Sequence, residues 1–136
     1  MAEKAGIAVI TGGSSGIGEA TARRLAQGGY RIAILDVNMD AADAVARDIG
    51  NGARAWRCDV ANADAVEAAA ETVAKEMGAP RVLVTSAGLI PNTESILDMD
   101  MAAHDRMWQV NYNGTLHACR SFARRMIPEQ RGAIVT

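Results

Sequence analysis

Residues Thr11-Gly12-Gly13-Ser14-Ser15-Gly16-Ile17-Gly18 follow a short apolar run, Ile7-Ala8-Val9-Ile10, and precede a helix-forming stretch from Glu19 to Gln27. A strand that turns through glycines into a helix start makes a phosphate cradle. Glycine permits positive φ and a close approach of backbone to ligand. The unpaired N–H groups of the first helical turn, together with the helix dipole, favour an anion. The glycines fall as Gly12-x3-Gly16-x-Gly18, not as the more usual G-x-G-x-x-G. A Walker A loop is excluded, because Glu19 and Ala20 stand where Lys and Ser or Thr would follow. The loop is then either a plain turn between strand and helix or a dinucleotide cradle, and the strand and helix around it favour the cradle.

The remainder of the chain alternates apolar runs with helix-forming stretches. Strands are expected at Ile7 to Thr11, Arg31 to Leu35, Ala53 to Arg57, Arg81 to Thr85, and from Ala133 onward. Helices are expected from about Ile17 to Gln27, stopped by Gly28-Gly29, and from about Asp40 to Ile49, stopped by Gly50-Asn51-Gly52. A third starts at the N-cap Asn62 and carries Val66, Ala69, Ala70, Val73 and Met77 at helical spacing. The longest is expected from about Met101 to Ile127, with Trp108, Tyr112, Leu116, Cys119, Phe122 and Met126 as its apolar stripe. Tyr30, Trp108 and Tyr112 then read as packing residues, and His104 and His117 as ordinary helix or surface positions. Such alternation implies a parallel sheet with right-handed crossovers. The fold class is α/β, a Rossmann-type doubly wound sheet of strand order 3-2-1-4-5 forming one domain over residues 1–136.

Ligands in such sheets bind outside the carboxyl ends of the strands, at the topological switch. Gly12 to Gly18, Asp36, Asp59-Val60 and Ser86-Ala87-Gly88 each follow a strand's carboxyl end. Asp36 can accept hydrogen bonds from both hydroxyls of an adenosine ribose and would repel a 2′-phosphate, which favours NAD over NADP. No Lys or Arg stands at Val37 or Asn38, or among Gly13, Ser14 and Ser15, to offset that repulsion. Asn111 and Gly114 both weaken the helix that carries them, and together they predict a kink or a close contact.

The Thr-Gly-x3-Gly-x-Gly loop resembles that of the short-chain dehydrogenase/reductase family, and the resemblance runs from the first strand into the fifth. It implies that Gly12, Ser14, Ser15, Gly16, Ile17 and Gly18 hold the dinucleotide phosphates. Asp59 would hold the adenine edge while Val60 packs on the ring. Ser86, Ala87 and Gly88 resemble the end of the family's Asn-Asn-Ala-Gly motif. Here it reads Thr85-Ser86-Ala87-Gly88, so hydroxyls are expected to replace the amides that tie neighbouring strands. Val110-Asn111 is similar to the family's Val-Asn, which implies that Asn111 belongs to the catalytic set and positions a water in a proton relay. The loop from Leu89 to Asp100, with Asn92, Thr93, Glu94 and Ser95, would border the substrate. The family commonly forms homodimers or homotetramers, and the helix from Trp108 to Met126 is the expected interface.

The resemblance also implies a Ser after the fifth strand and a Tyr-x3-Lys pair on the next helix. Neither Tyr30 nor Tyr112 fits, since Ile34 and Leu116 lie four residues on. The 136 residues therefore read as the cofactor-binding half of a longer enzyme, interrupted after the fifth strand and inactive alone. The intact protein would be an oxidoreductase acting on a secondary alcohol or its ketone with NAD. Three alternatives stay open: an NADP-dependent carbonyl reductase, a half-length dinucleotide-binding module, and an assembly protein whose open strand pairs with a partner. A net charge of −2 gives no electrostatic footprint for nucleic acid. No apolar run reaches membrane-spanning length, and the N-terminal Met1 to Gly6 carries no signal-type apolar region. Cys58 and Cys119 lack metal-type spacing and read as reduced thiols in a cytoplasmic protein, with no metal site expected.

Overall fold

The structure is a computed structural model and describes residues 5–90 and 94–136. Asn92 and Thr93, named above as substrate-loop residues, and Met1 to Lys4 lie outside the described residues. The elements run β1 (Ile7–Thr11), α1 (Gly16–Gln27), β2 (Arg31–Asp36), α2 (Met39–Ile49), β3 (Arg54–Arg57), α3 (Ala63–Met77) and β4 (Pro80–Thr85). They continue through α4 (Met101–Trp108), a π-helical segment (Gln109–Asn113), α5 (Gly114–Met126), a 3-10 turn (Ile127–Glu129) and β5 (Ala133–Val135). The five strands form one parallel sheet, as the alternation implies, in the expected order β3-β2-β1-β4-β5.

Period-two alternation on β1 sends side chains to two separate cores. Ile7 and Val9 join Ala33, Leu35 and Leu83 beneath α3 and α5, where Val66, Val73, Ala118 and Phe122 are fully enclosed. Ala8 and Ile10 join Ile32 and Ile34 beneath α1 and α2, against Ala22, Ala42 and Val45. Both faces of the central strands are covered, which is why β1 and most of β2 carry apolar residues without interruption.

Local signals set the helix ends. Asn38 and Asn62 cap α2 and α3 by accepting from the amides of Ala41 and Ala65 at 3.2 and 3.0 Å. The end of α1 is closed by two backbone bonds, Gly29 N–H to the Ala26 carbonyl and Tyr30 N–H to the Leu25 carbonyl. Gly29 takes the positive φ that this Schellman arrangement needs.

The helix expected as one piece over Met101 to Ile127 is interrupted. Its π-helical turn is centred on Asn111, and Gly114 follows immediately. A Cβ at Gly114 would lie 2.5 Å from Cγ2 of Val60, so the expected close contact is present and requires glycine. The apolar stripe is corrected as well. Trp108, Tyr112 and Leu116 are 53%, 60% and 45% exposed, so Tyr112 is not on the core face. Phe122 and Met126 are buried as expected, and Val110, Gly114, Ala118 and Ser121 complete that face. Where a helix lies closest to a sheet, small residues fit and large ones do not, so a stripe drawn through the large apolar residues left the core face at Trp108, Tyr112 and Leu116. Trp108 packs edge-on to His104 and tilted against Tyr112 along the exposed side. His117 is likewise more than a surface position: its Nδ1 lies 2.9 Å from the Val60 carbonyl, which only accepts, so the proton sits on Nδ1.

Candidate active site: a cleft at the carboxyl edge of the sheet

A cleft of about 460 Å³ opens at the carboxyl ends of the strands, where β1 lies between β2 and β4. From the glycine loop it is lined by Gly12, Ser15, Gly16 and Ile17, and from the end of β2 by Leu35, Asp36 and Val37. Cys58, Asp59 and Val60 contribute from the end of β3, and Ser86 to Ile90 from the end of β4. Four stretches separate in sequence thus share one wall. Ser14 and Gly18 do not line the cleft. Ser14 is buried, and Gly18 sits under the loop, where a Cβ would collide with the Gly12 carbonyl.

The cradle is built from backbone. The first intrahelical bond of α1 is Glu19 N–H to the Ser15 carbonyl, so the amides of Gly16, Ile17 and Gly18 precede it and have no helical acceptor. Ser15 occupies the N-cap but makes no capping bond, which leaves its hydroxyl available. Bare glycine backbone, open first-turn amides and an uncommitted hydroxyl fit a phosphate group.

Asp36 anchors the neighbouring corner. Its Oδ2 accepts from the Ser14 amide at 3.1 Å and its Oδ1 from the Asn38 amide at 3.0 Å. The carboxylate is therefore oriented by two fixed donors while still lining the cleft. No Lys or Arg stands at the neighbouring sequence positions, but Arg57, the register partner of Asp36 on β3, donates to the Val37 carbonyl at 2.8 Å. The register that pairs Asp36 with Arg57 makes this possible, and no local pattern in the sequence carries that information.

At the end of β4, strand-tying falls to a different hydroxyl from those expected. Thr11 Oγ1 accepts from the amides of both Ser86 and Ala87 at 3.2 Å. The Thr85 hydroxyl is enclosed and has no hydrogen-bond partner among the described residues. Asn111 does not line the cleft itself. Its Oδ1 accepts from Leu89 N–H at 2.7 Å and its Nδ2 donates to the Leu89 carbonyl at 2.9 Å, fixing a residue that does.

At the end of β3, Asp59 Oδ1 accepts from the Ala61 amide and Oδ2 from Arg106 of α4, a cleft residue that sequence reasoning missed. Partial burial pushes the Asp59 carboxyl up, but the Arg106 hydrogen bond, the Ala61 amide and the Arg106 charge together hold it below its ordinary value. Burial, with the Asp59 charge adding to it, pushes the Cys58 thiol up to about 11, so this cysteine stays protonated and unreactive at neutral pH. Both cysteines are free thiols.

The chain belongs to the short-chain dehydrogenase family, whose model matches residues 6–136. It corresponds to the N-terminal half of that fold, and spans about half the length of the curated relatives it matches. It is 39% identical over 132 residues to D-threitol dehydrogenase of Mycolicibacterium smegmatis, covering 95% of this chain and 50% of that protein. It is 38% identical over 131 residues to the 3-oxoacyl-[acyl-carrier-protein] reductase of Bos taurus, covering 95% and 54%. Among solved structures, NAD+-bound xylitol dehydrogenase superposes with a TM-score of 0.90 at 31% identity, covering 94% of this chain and 50% of that one. Among the described residues, no helix is long and apolar enough to cross a membrane.

Proposed function

We propose that this chain is the dinucleotide-binding half of an oxidoreductase that moves a hydride between NAD and a secondary alcohol or its ketone. The observation that carries the reading is Asp36. Its carboxylate lines the cleft beside the glycine cradle and is held by two backbone amides, the arrangement that accepts ribose hydroxyls and repels a 2′-phosphate. The amides of Gly16 and Ile17 and the Ser15 hydroxyl would hold the pyrophosphate. Asp59 and Val60 would hold the adenine, and the backbone of Ser86 to Gly88 would border the far ribose. Bound there, the dinucleotide supplies the hydride donor or acceptor at its nicotinamide ring. Asn111 would fix the nicotinamide end by gripping Leu89, and we place it in the proton relay that the family resemblance implies. The relay's Ser, Tyr and Lys are sought in the full-length protein.

The relatives named above act on a polyol and on an oxoacyl thioester by their names, and a secondary alcohol or its ketone is the chemistry common to both. The exposed face of Trp108, Tyr112 and Leu116 is where we place contact between subunits of a homo-oligomer. Two free thiols suit the reducing conditions of the cytoplasm. The test is a fluorescence titration of the full-length protein with NADH and NADPH, followed by turnover of small polyols and 3-oxoacyl thioesters. Tighter NADH binding with turnover of either class is expected. NADPH binding more tightly than NADH would sink the cofactor assignment, and dinucleotide binding without turnover of any alcohol or ketone would favour the binding-module reading.

A further inference from the structure

Asp59 is held from two directions. Its own turn supplies the Ala61 amide at 3.0 Å, and α4 supplies the Arg106 guanidinium at 2.9 Å. Both side chains remain partly open, Arg106 at 44% and Asp59 at 40%, and both line the cleft. Arg106 lies on the same run of helix as Asn111, with the buried Val110 between them. One helical segment therefore grips the cleft at two places, the turn after β3 through Arg106 and the loop after β4 through Asn111.

This has a chemical consequence at the Asp59 end. Each carboxylate oxygen carries two acceptor positions, and one on each is already taken. The group has a fixed orientation with acceptor capacity left over. An ionised carboxylate accepts from an amino group and offers nothing to a carbonyl oxygen. Asp59 is a partly exposed aspartate and is ionised at neutral pH; against its partial burial, the Arg106 hydrogen bond and charge favour that form further.

We propose that Arg106 is a positioning residue for the base end of the cleft, locking the Asp59 carboxylate so that it selects a purine with an exocyclic amino group over one with a carbonyl there. The inference rests on the dinucleotide reading above and adds to it a residue on α4 that acts through Asp59.

The test uses the full-length protein and two probes, NADH and its hypoxanthine counterpart, in which that amino group is a carbonyl. Dissociation constants are measured for the wild type, Arg106→Gln, Asp59→Asn and the double variant. Arg106→Gln is expected to weaken NADH about three- to fivefold, the scale of one partly exposed charge pair, and to leave the hypoxanthine dinucleotide within about twofold. In the Asp59→Asn background, Arg106→Gln should have no further effect on NADH. Equal weakening of both dinucleotides, an unchanged NADH affinity, or a loss that persists without the Asp59 carboxylate would each overturn the role. A wild type that binds neither dinucleotide would overturn the cofactor reading itself, whereas tight NADH binding without base discrimination would overturn Arg106 alone. The pair is at the surface, so Arg106→Gln should melt close to the wild type, which keeps the comparison between folded proteins.

Discussion

A Cβ added to Gly12 would lie 2.7 Å from both the Cα and the amide nitrogen of Ala87, so the glycine loop and the end of β4 meet backbone to backbone. Gly12 also holds a φ of +66°. Gly12→Ala is opposed by both features, and we expect it to destabilise the protein by about 2–4 kcal/mol. Gly16 offers the control. It has a φ of +53° but open space around the missing Cβ, so Gly16→Ala should cost only about 1 kcal/mol. Urea denaturation of the two variants measures the difference. Equal losses would mean that Ala87 gives way and that the contact is not what requires glycine.

Asp36→Ala removes the acceptor from the ribose corner and leaves the Ser14 and Asn38 amides without their partner. It also leaves Arg57, fixed on the Val37 carbonyl, as a cation at the end of the neighbouring strand. NADH affinity should fall roughly tenfold, the scale of a charged hydrogen-bonded group, while NADPH affinity holds or rises. Competition binding with the two reduced dinucleotides reads the ratio. An unchanged ratio would remove Asp36 from cofactor selection.

Asn111→Ala breaks two hydrogen bonds to one residue, Leu89. Leu89 is 43% exposed, so water can replace both bonds and the stability cost should stay near 1 kcal/mol. The geometric cost is larger, because the loop beside the cleft loses its only side-chain tether from the π-helical segment among the described bonds. Turnover of the full-length protein should drop roughly tenfold to a hundredfold while KM for the dinucleotide moves little. Parallel losses in both would make Asn111 a structural residue.

The parallel sheet and its two-sided core were legible in the sequence, because apolar runs between glycine and asparagine punctuation mark alternating strands and helices. The strand order and the cleft at its switch point followed once the glycine loop was placed after the first strand. Ten of the twelve residues named for the cofactor line one cleft; Ser14 and Gly18 support it from beneath. What escaped was tertiary. Arg106 reaches the cleft from α4 and Arg57 reaches the Val37 carbonyl at its edge from β3, and nothing near them in the sequence marks their partners Asp59 and Val37. Thr11 took the tie expected of Thr85 and Ser86, because β1 and β4 are paired so that Thr11 lies beside Thr85 and its hydroxyl meets the next two amides. The part of the helical stripe that strayed from the core, Trp108, Tyr112 and Leu116, has the same origin. Gly114 and Ala118 are both buried, with no room for a larger residue at Gly114, and a count of large apolar residues passes over both.

Glu67 on α3 and Arg125 on α5 join the two helices on the same face of the sheet at 2.9 Å. The Arg125 hydrogen bond, helped by Ser121, holds the Glu67 carboxyl below its ordinary value, and partial burial opposes this only in part. A carboxylate whose pKa is lower folded than unfolded stabilises the fold above the unfolded pKa, and that contribution is lost as pH falls through the folded pKa. Glu67→Gln should therefore lower stability at pH 7 by about 0.5 kcal/mol, a small figure because the Glu67 side chain is 43% exposed and screened by solvent. The difference from wild type should shrink as pH drops below about 4.3, the ordinary value for glutamate, and vanish once both proteins are protonated or neutral there. The Ser121 carbonyl, 2.8 Å from Arg125, and the glutamine carbonyl should both still accept from the guanidinium in the variant, so the change removes the counter-charge rather than the hydrogen bonds. Thermal melts of wild type and Glu67→Gln between pH 3 and 7, at fixed ionic strength, measure this, and a gap that stays constant across that range would show that the pair does not couple α3 to α5.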